Sequence, residues 1–331
     1  MTKTRNTNIE ILRLVLMMSI FCWHILLHGF GFKDINSGGD MYDENIGIVL
    51  SSLFAPATYC FMFISGYYGM KFSVKKIASM EIWLIVVSVL TALADMVFFK
   101  SGGLRTLFSA LFPVSTLRRW FMTCYMLLFL LTPIFNKGIE CLGKTSFRII
   151  LFSLLAYQVI SILRLQNNGG SNFLGLLTIF LLARYCKIYA IEFKKHVALI
   201  AFLLAWGLQI VLMMGCNKYS QHNVFVLLNY NTPLIMTMAV MLFYFVKNMK
   251  PRYSSGINKC LKSTLFIYLV TDGLFVPFYK WIVQQLNVNC WMGISIFIIT
   301  ILGCLLIGRV VMSVTDKALA KCRNQKLDIL C

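Results

Sequence analysis

The sequence predicts an all-α, polytopic membrane protein with about ten transmembrane helices in one bundle, and three observations support this fold class. First, 59% of the 331 residues are hydrophobic and only 13% are charged, whereas soluble domains carry about 25% charged residues. Second, the apolar runs are long and continuous, and a spanning helix needs about 20 mainly apolar residues. Third, Lys and Arg are concentrated on alternate loops, as the positive-inside rule requires.

The apolar runs also define the domain organisation. They lack the strict alternation of β-barrel strands, so helices are favoured. Short loops join them without repeats or Ser/Pro-rich linkers, so we predict a single integral membrane domain over residues 1–331. The first run contains charges and no small-x-small cleavage site, so it is expected to remain as an uncleaved helix. The predicted spans are 9–27, 47–67, 78–99, 120–136, 148–164, 173–190, 197–215, 224–246, 263–285 and 291–313.

The distribution of charge predicts the orientation of the bundle. With both termini placed in the cytoplasm, 22 of the 31 Lys and Arg residues fall on the cytoplasmic side. The net charge of +19 is therefore explained by loops that face a membrane surface. Because these charges are spread over six loops, we expect contact with anionic lipid headgroups and no nucleic-acid partner.

The first span, IEILRLVLMMSIFCWHILLH, carries unusual charges for a membrane helix. A charge at membrane depth costs about 2.5–3.5 kcal/mol on insertion scales. Arg13 and His24 are about 16 Å apart along the axis and about 20° apart around it, so their side chains share one face. Glu10 lies three residues before Arg13 and is placed to pair with it. This face suits a long anionic molecule whose reactive end reaches the imidazole.

Other interpretations of this helix stay open. Arg13 is near enough to the membrane end to extend to the headgroups, and His24 beside Trp23 fits an interfacial aromatic belt. His24 and His28 have the i,i+4 spacing of metal ligands. No third ligand is apparent nearby, so we predict no metal site.

A second set of polar and aromatic residues marks candidate substrate contacts. Asp272 lies about ten residues into the ninth span. Asp272 and Tyr125 are both predicted to line the substrate cavity. A basic and aromatic group begins the fourth span on the outer side, where it suits an acidic or phosphate-bearing glycan: Arg118, Arg119 and Trp120. An aromatic belt with basic flanks explains that group equally well, and Asp272 is also suited to pairing with a Lys or a neighbouring helix.

One nucleotide-binding pattern is excluded by its context. Residues 138–145, GIECLGKT, satisfy the P-loop spacing G-x-x-x-x-G-K-T. A P-loop requires a preceding strand within an α/β sheet. Here the motif connects two predicted membrane spans, so a basic cytoplasmic loop is the better interpretation.

Four segments in the right order resemble the acyltransferase-3 family of bacterial integral-membrane O-acyltransferases. The opening RNTNIEILRLVLMMSIFCWH is similar to the family's first helix, in which a His follows an Arg at this spacing. The other segments are FMFISGYYGM (61–70), RWFMTCYMLLFLLTPIFN (119–136) and INKCLKSTLFIYLVTD (257–272). Two positions depart from the pattern of many members: Ser79 stands where a second Arg is common, and Thr271 where a His is common.

The resemblance implies the transfer of an acyl group, commonly acetyl, from acyl-CoA to a hydroxyl of a cell-envelope glycan such as capsule, O-antigen or other exopolysaccharide. It implies a multi-pass protein of the bacterial inner membrane, with acetyl-CoA as donor substrate rather than as a tightly bound cofactor, and a surface glycan or lipid-linked sugar as acceptor. His24 would act as general base, since unperturbed imidazole has a pKa of about 6.5, or would carry the acyl group covalently. Arg13 would position the donor and Glu10 would orient Arg13.

Two other classes of function compete with this hypothesis. A flippase or transporter for a lipid-linked glycan would also carry intramembrane charges, but we find no internal repeat of the kind common in transporters. An envelope polysaccharide polymerase would be polytopic too. We would expect it to have a large outer loop, whereas the longest loop here has about twenty residues.

Overall fold

The computed structural model describes residues 5–31, 44–98, 100, 103–116, 119–163, 167–219, 226–272 and 276–328. Within these ranges, all regular secondary structure is helical. The first seven α-helices are α1 (Thr7–His24), α2 (Glu44–Phe54), α3 (Ala57–Tyr68), α4 (Val74–Phe98), α5 (Leu104–Ala110), α6 (Trp120–Cys141) and α7 (Lys144–Leu163). The others are α8 (Phe173–Ile188), α9 (Lys195–Tyr219), α10 (Pro233–Lys247), α11 (Ser255–Cys260), α12 (Leu265–Thr271), α13 (Val276–Val288) and α14 (Cys290–Asp328).

Eight helical segments of the described residues are long and apolar enough to cross a membrane. Each falls on one of the ten predicted spans, which confirms the all-α polytopic class. The two remaining predicted spans differ in length or continuity. The sixth is the 16-residue helix α8, and the ninth is interrupted. The P-loop-like motif lies across the turn between α6 and α7, where no strand precedes it.

The first span begins with a capped helix and ends in a π-helical turn. The side chain of Asn6 accepts a hydrogen bond from the backbone N–H of Asn8 at 3.0 Å, which satisfies a donor that the first turn would otherwise leave unpaired. The helix then continues beyond His24 as a π-helix over Ile25–Gly29. Such turns are rare and occur often at functional sites. The residues after His24 thus follow a wider helical path.

The second span consists of α2 and α3, joined by a turn at Ala55 and Pro56. Helix α3 is buried almost throughout because it packs between α8 and α10. Gly66 makes this approach possible, since a Cβ at that position would lie 2.9 Å from Ala183 Cβ and 3.0 Å from the Phe180 carbonyl oxygen. Gly66 is thus a small residue that lets two membrane helices approach closely.

The ninth predicted span is not one continuous helix, which corrects the prediction for residues 263–285. A 3₁₀ turn at Leu261–Ser263 leads into the short helix α12, which ends at Thr271, and α13 begins at Val276. Pro277 falls in the first turn of α13, where a missing N–H costs no helical hydrogen bond. The intervening residues 273–275 lie outside the described part of the chain. The interruption places Asp272 at the end of a helix rather than in its middle.

Candidate active site

The face of α1 that carries Arg13 and His24 is turned toward the protein. Met17 and Phe21 lie between them at helical spacing and are fully buried, while Ile11 and Val15 on the opposite face are exposed. Phe21 also stacks on Phe297 of α14, with ring centroids 5.0 Å apart. The predicted common face therefore lies inside the bundle and not against lipid.

Arg13 is held by the predicted carboxylate and lines a cavity. Its Nη1 lies 2.7 Å from Glu10 Oε1, and Arg5 Nη1 approaches the same oxygen at 3.6 Å. The cavity has a volume of about 270 Å³, and an adjoining one of about 460 Å³ shares Arg5, Glu10 and Arg13 with it. We call this space the donor cavity, after the acyl donor that the family resemblance implies. We call the end of the bundle that contains it the basic end, because five cations line the first cavity: Arg5, Arg13, Lys71, Lys76 and Lys262.

The rim of the donor cavity is fixed by two loops. After α3, Gly69 adopts a φ of 82°, which reverses the chain as only glycine does easily. Asn136 at the end of α6 then donates to the Met70 carbonyl oxygen at 3.1 Å. These contacts place Lys71 beside the cavity. Tyr125 from α6 lines the same cavity, on the Arg13 side of the bundle, whereas Asp272, predicted to share a cavity with it, is not among the lining residues.

The second loop precedes α11 and is hydrogen-bonded to the N-terminus of α1. The Thr7 amide donates to the Arg252 carbonyl oxygen at 2.8 Å, and the Asn8 side chain donates to the Lys250 carbonyl oxygen at 2.9 Å. The Ser254 amide donates to the Thr7 hydroxyl at 2.8 Å. We call residues 250–254 the clasp. It holds the first turn of α1, which carries Glu10 and leads into the turn that carries Arg13.

His24 faces a carboxylate at the other end of α1. Its Nε2 lies 3.6 Å from Asp272 Oδ1, and both side chains are mostly buried. This separation is longer than a hydrogen bond but within ion-pair range. The Tyr279 ring packs edge-on to the imidazole with centroids 6.2 Å apart, and its hydroxyl donates to the Thr271 carbonyl oxygen. His28 packs against the same ring at 5.5 Å.

Arg119 lies within the protein rather than on its outer surface. It is 1% exposed, its Nε donates to the Leu269 carbonyl oxygen at 3.0 Å, and its Nη1 donates to the Ser88 hydroxyl. Arg119 thus binds a terminal carbonyl of α12, three residues before Asp272. A direct contact between Arg119 and a glycan stays a prediction, because these partners are protein groups. Arg118, predicted beside it, lies outside the described residues.

An aromatic cluster lies beside the Asp272 end of the site. The Trp120 and Tyr230 rings are 5.6 Å apart, and Tyr230 stacks on Tyr59 at 5.3 Å. Tyr59 in turn donates to the Gly170 carbonyl oxygen at 3.1 Å. Tyr230 is also an electrostatic neighbour of Asp272. The predicted sugar-stacking residue Trp120 is therefore connected to the predicted acidic residue through Tyr230.

Sequence reasoning missed Tyr230 and Tyr279. Each is an aromatic residue in an apolar segment, and no spacing pattern connects it with His24. Gly273 and Pro277, which precede Tyr279, are the local sequence signals of a special conformation there. Within the described residues, no group of three or more His, Cys, Asp or Glu side chains is placed to hold a metal ion.

Comparison with protein families supports the resemblance on which the sequence analysis drew. The acyltransferase-3 family model, described as an acyltransferase domain, matches residues 6–309. The match includes His24, Asp272, the broken ninth span and the lining of the donor cavity except Arg5. Comparisons with curated proteins and with solved structures gave no match.

Proposed function

The chain belongs to the acyltransferase-3 family and is a multi-pass membrane acyltransferase, and from this premise we propose that it transfers an acetyl group from acetyl-CoA to a hydroxyl of a cell-envelope glycan. The observation that carries the proposal is the division of α1 into two polar ends on one buried face. One end lies in a cationic cavity, and the other holds an imidazole beside a carboxylate.

The donor cavity supports an acyl-CoA as donor. This molecule carries phosphate groups at one end and a thioester at the other. Guanidinium groups bind phosphate through paired hydrogen bonds, and ammonium groups add attraction. Arg13, fixed by Glu10, would hold the phosphate-bearing end while the acyl end extends toward His24. The rise of about 16 Å between the two residues requires an elongated donor.

The His24 end supplies the chemistry for acyl transfer to a hydroxyl. As the hydroxyl oxygen attacks the thioester carbon, His24 takes its proton, a C–O bond forms and the C–S bond breaks. The imidazolium then returns the proton to the departing thiolate, so that free thiol and O-acylated sugar result. Asp272 stabilises the imidazolium between these steps, as a carboxylate does beside a catalytic His. In the alternative route, a nitrogen of His24 attacks the thioester carbon, the C–S bond breaks and the thiol leaves. The hydroxyl then attacks the acyl-imidazole, a C–O bond forms, and the C–N bond breaks to release His24.

Trp120 and Tyr230, the partly exposed members of the aromatic cluster, support a carbohydrate acceptor, while the buried Tyr59 stacks on Tyr230. Aromatic rings present flat apolar faces with polar edges, which suit the face of a sugar ring. The cluster lies beside Asp272, so a stacked sugar would bring a hydroxyl toward His24. We propose a glycan of the bacterial cell envelope, or its lipid-linked precursor, as the acceptor and the inner membrane as the location.

The test is acyl transfer by the purified full-length chain in lipid nanodiscs, supplied with radiolabelled acetyl-CoA and envelope glycan. We expect label on the glycan and a loss of about 10²-fold or more in His24→Ala, the scale of general acid–base catalysis. His196→Ala, an exposed His at the start of α9, is the matched control and should retain activity.

Two results would contradict the proposal. Full activity in His24→Ala would remove the imidazole from the mechanism. Translocation of a lipid-linked glycan by wild-type protein that neither binds nor consumes acetyl-CoA would favour a transporter.

Label trapped on the wild-type protein, and lost from it when His24 is replaced, would select the covalent route over general-base catalysis.

A further inference from the structure

A second cationic pocket lies at the basic end, between the 3₁₀ turn Leu261–Ser263 and α14. It has a volume of about 370 Å³, and its polar lining includes Lys259, Lys262, Arg309, Ser313, Asp316 and Lys317. We call it the α14 pocket. We propose that it binds the phosphate of an anionic membrane phospholipid, a role separate from acyl transfer.

A close helix contact creates the pocket. A Cβ at Gly308 would lie 2.6 Å from the Phe266 ring and 2.8 Å from Ser263 Cβ, so α14 lies directly on the turn. Arg309 follows Gly308 and is thereby brought beside the turn. Lys259 and Lys262 are three residues apart, so they project from one side of the opposing segment. Two short rows of cations thus face each other.

The charge of the pocket favours an anion with more than one oxygen. Its four Lys and Arg side chains are exposed and outnumber its one carboxylate. That carboxylate, on Asp316, is shared with Lys75 of α4, whose Nζ lies 3.9 Å away. Among the described residues, no carboxylate lies within ion-pair distance of the four cations. A phosphate group accepts several charge-assisted hydrogen bonds at once and so matches this arrangement.

The depth of the pocket indicates a lipid as the source of the phosphate. One face of α14 carries a row of apolar side chains that are 56–66% exposed: Ile299, Leu302, Leu306, Val310 and Val314. The row ends one turn before Lys317, and Arg309 lies beside its last members. This change from apolar to basic marks the boundary between hydrocarbon and headgroups. A phospholipid bound here would lay its acyl chains along the row and place its phosphate in the pocket.

The variant that tests the site is the double substitution Arg309→Gln and Lys317→Gln. Lys262 is left unchanged because it also lines the donor cavity. Each Lys or Arg near an anionic membrane surface contributes about fivefold to binding. We therefore expect at least about a tenfold loss of affinity. The matched control removes the same charge from exposed positions elsewhere, Arg148→Gln in α7 and Lys194→Gln just before α9.

The experiment is native mass spectrometry of the full-length chain in detergent, titrated with phosphatidylglycerol or phosphatidylcholine. We expect wild type and control to retain phosphatidylglycerol at least tenfold more tightly than phosphatidylcholine, and the pocket variant to lose this preference. Equal retention by the pocket variant and the control would overturn the proposal. An absence of preference for phosphatidylglycerol in wild type would also overturn the proposal, and this result does not depend on the folding of any variant.

A competition experiment distinguishes a lipid phosphate from a soluble phosphate as the ligand of the pocket. Inorganic phosphate or coenzyme A, added at millimolar concentration to wild type, should leave the bound phosphatidylglycerol in place. Displacement by either would assign the pocket to a soluble phosphate and overturn the lipid assignment. Because lipid retention is measured without acyl donor or acceptor, its failure is distinct from failure of the proposed enzymatic function.

Discussion

Asp272 Oδ1 lies 3.6 Å from His24 Nε2, across the interface between the first span and the broken ninth span. We expect Asp272→Asn to lower the rate of acyl transfer about 10–100-fold, because an interaction with a charged partner contributes about 1.5–3 kcal/mol. The substitution keeps the shape of the side chain and removes only its charge. Steady-state kinetics of the purified variant measures the effect.

The control for this substitution is Glu140→Gln, an exposed carboxylate at the end of α6. It should retain the wild-type rate. If Asp272→Asn were as active as this control, the carboxylate would have no part in stabilising the imidazolium.

Arg119 is expected to act as a positioning residue through its hydrogen bond to Leu269. Arg119→Gln removes the cation that binds the end of α12 and leaves buried groups unpaired, which costs about 1–3 kcal/mol of folding free energy. Because Arg119 lies outside the donor cavity, we expect kcat to fall while KM for acetyl-CoA stays within about twofold of wild type. Thermal unfolding and steady-state kinetics measure the two effects.

A change in KM for the donor equal to the change in kcat would contradict this role for Arg119. Arg119→Lys is the conservative variant. It keeps the charge but not the fork of donors, and should recover part of kcat.

Arg13 is expected to govern donor affinity rather than turnover. Arg13→Gln should raise KM for acetyl-CoA about 10–100-fold, since it removes a charge-assisted contact with phosphate. Glu10→Gln should raise KM less, because it frees Arg13 without removing it. Arg148→Gln, an exposed Arg of α7, should leave KM unchanged. An unchanged KM in Arg13→Gln would show that the donor binds elsewhere.

Gly66 is expected to control stability through the contact between α3 and α8. Gly66→Ala inserts a methyl group within 3.0 Å of the Phe180 carbonyl oxygen, and overpacking of this kind costs about 1–3 kcal/mol. The comparison is Gly207→Ala in α9, where a Cβ meets nothing within 4 Å. Thermal unfolding in detergent should show a lower midpoint for Gly66→Ala only. Equal midpoints would mean that α3 shifts to accept the methyl group.

The sequence predicts the parts of the site that depend on a single helix. The common face of Arg13 and His24 follows from helical periodicity, and the buried Met17 and Phe21 confirm that this face points inward. The pairing of Glu10 with Arg13 follows from the i,i+3 spacing and is confirmed at 2.7 Å. Each inference needs only local geometry, which the chain encodes over a few turns.

Contacts between distant segments were not predictable in the same way. The sequence marked Asp272 as unusual because a carboxylate at membrane depth is costly, but it gave no partner. The partner is His24, on a helix that topology rather than spacing brings near. Arg119 illustrates the same limit, since a cation beside Trp120 resembles an interfacial flank until the packing of α12 is known.

The break in the ninth span was hidden by averaging. Hydropathy over residues 263–285 is continuous enough to suggest one helix, and the signal against it is the pair Gly273 and Pro277. Proline removes a backbone donor and fixes φ, which favours a new helix start at that place. Gly273 and Pro277 therefore carried the signal of a helix break that the averaged hydropathy concealed.

The clasp has a consequence for biogenesis. It joins residues 250–254 to the first helix, so the partners of these hydrogen bonds are 242 and 247 residues apart in the chain and leave the ribosome at different times. At a synthesis rate of about 5–20 residues per second, roughly 12–50 s pass between the emergence of the first turn of α1 and that of its partner. Until then the cationic cavity lacks one of its supports, and newly made protein completes this cavity only late in translation.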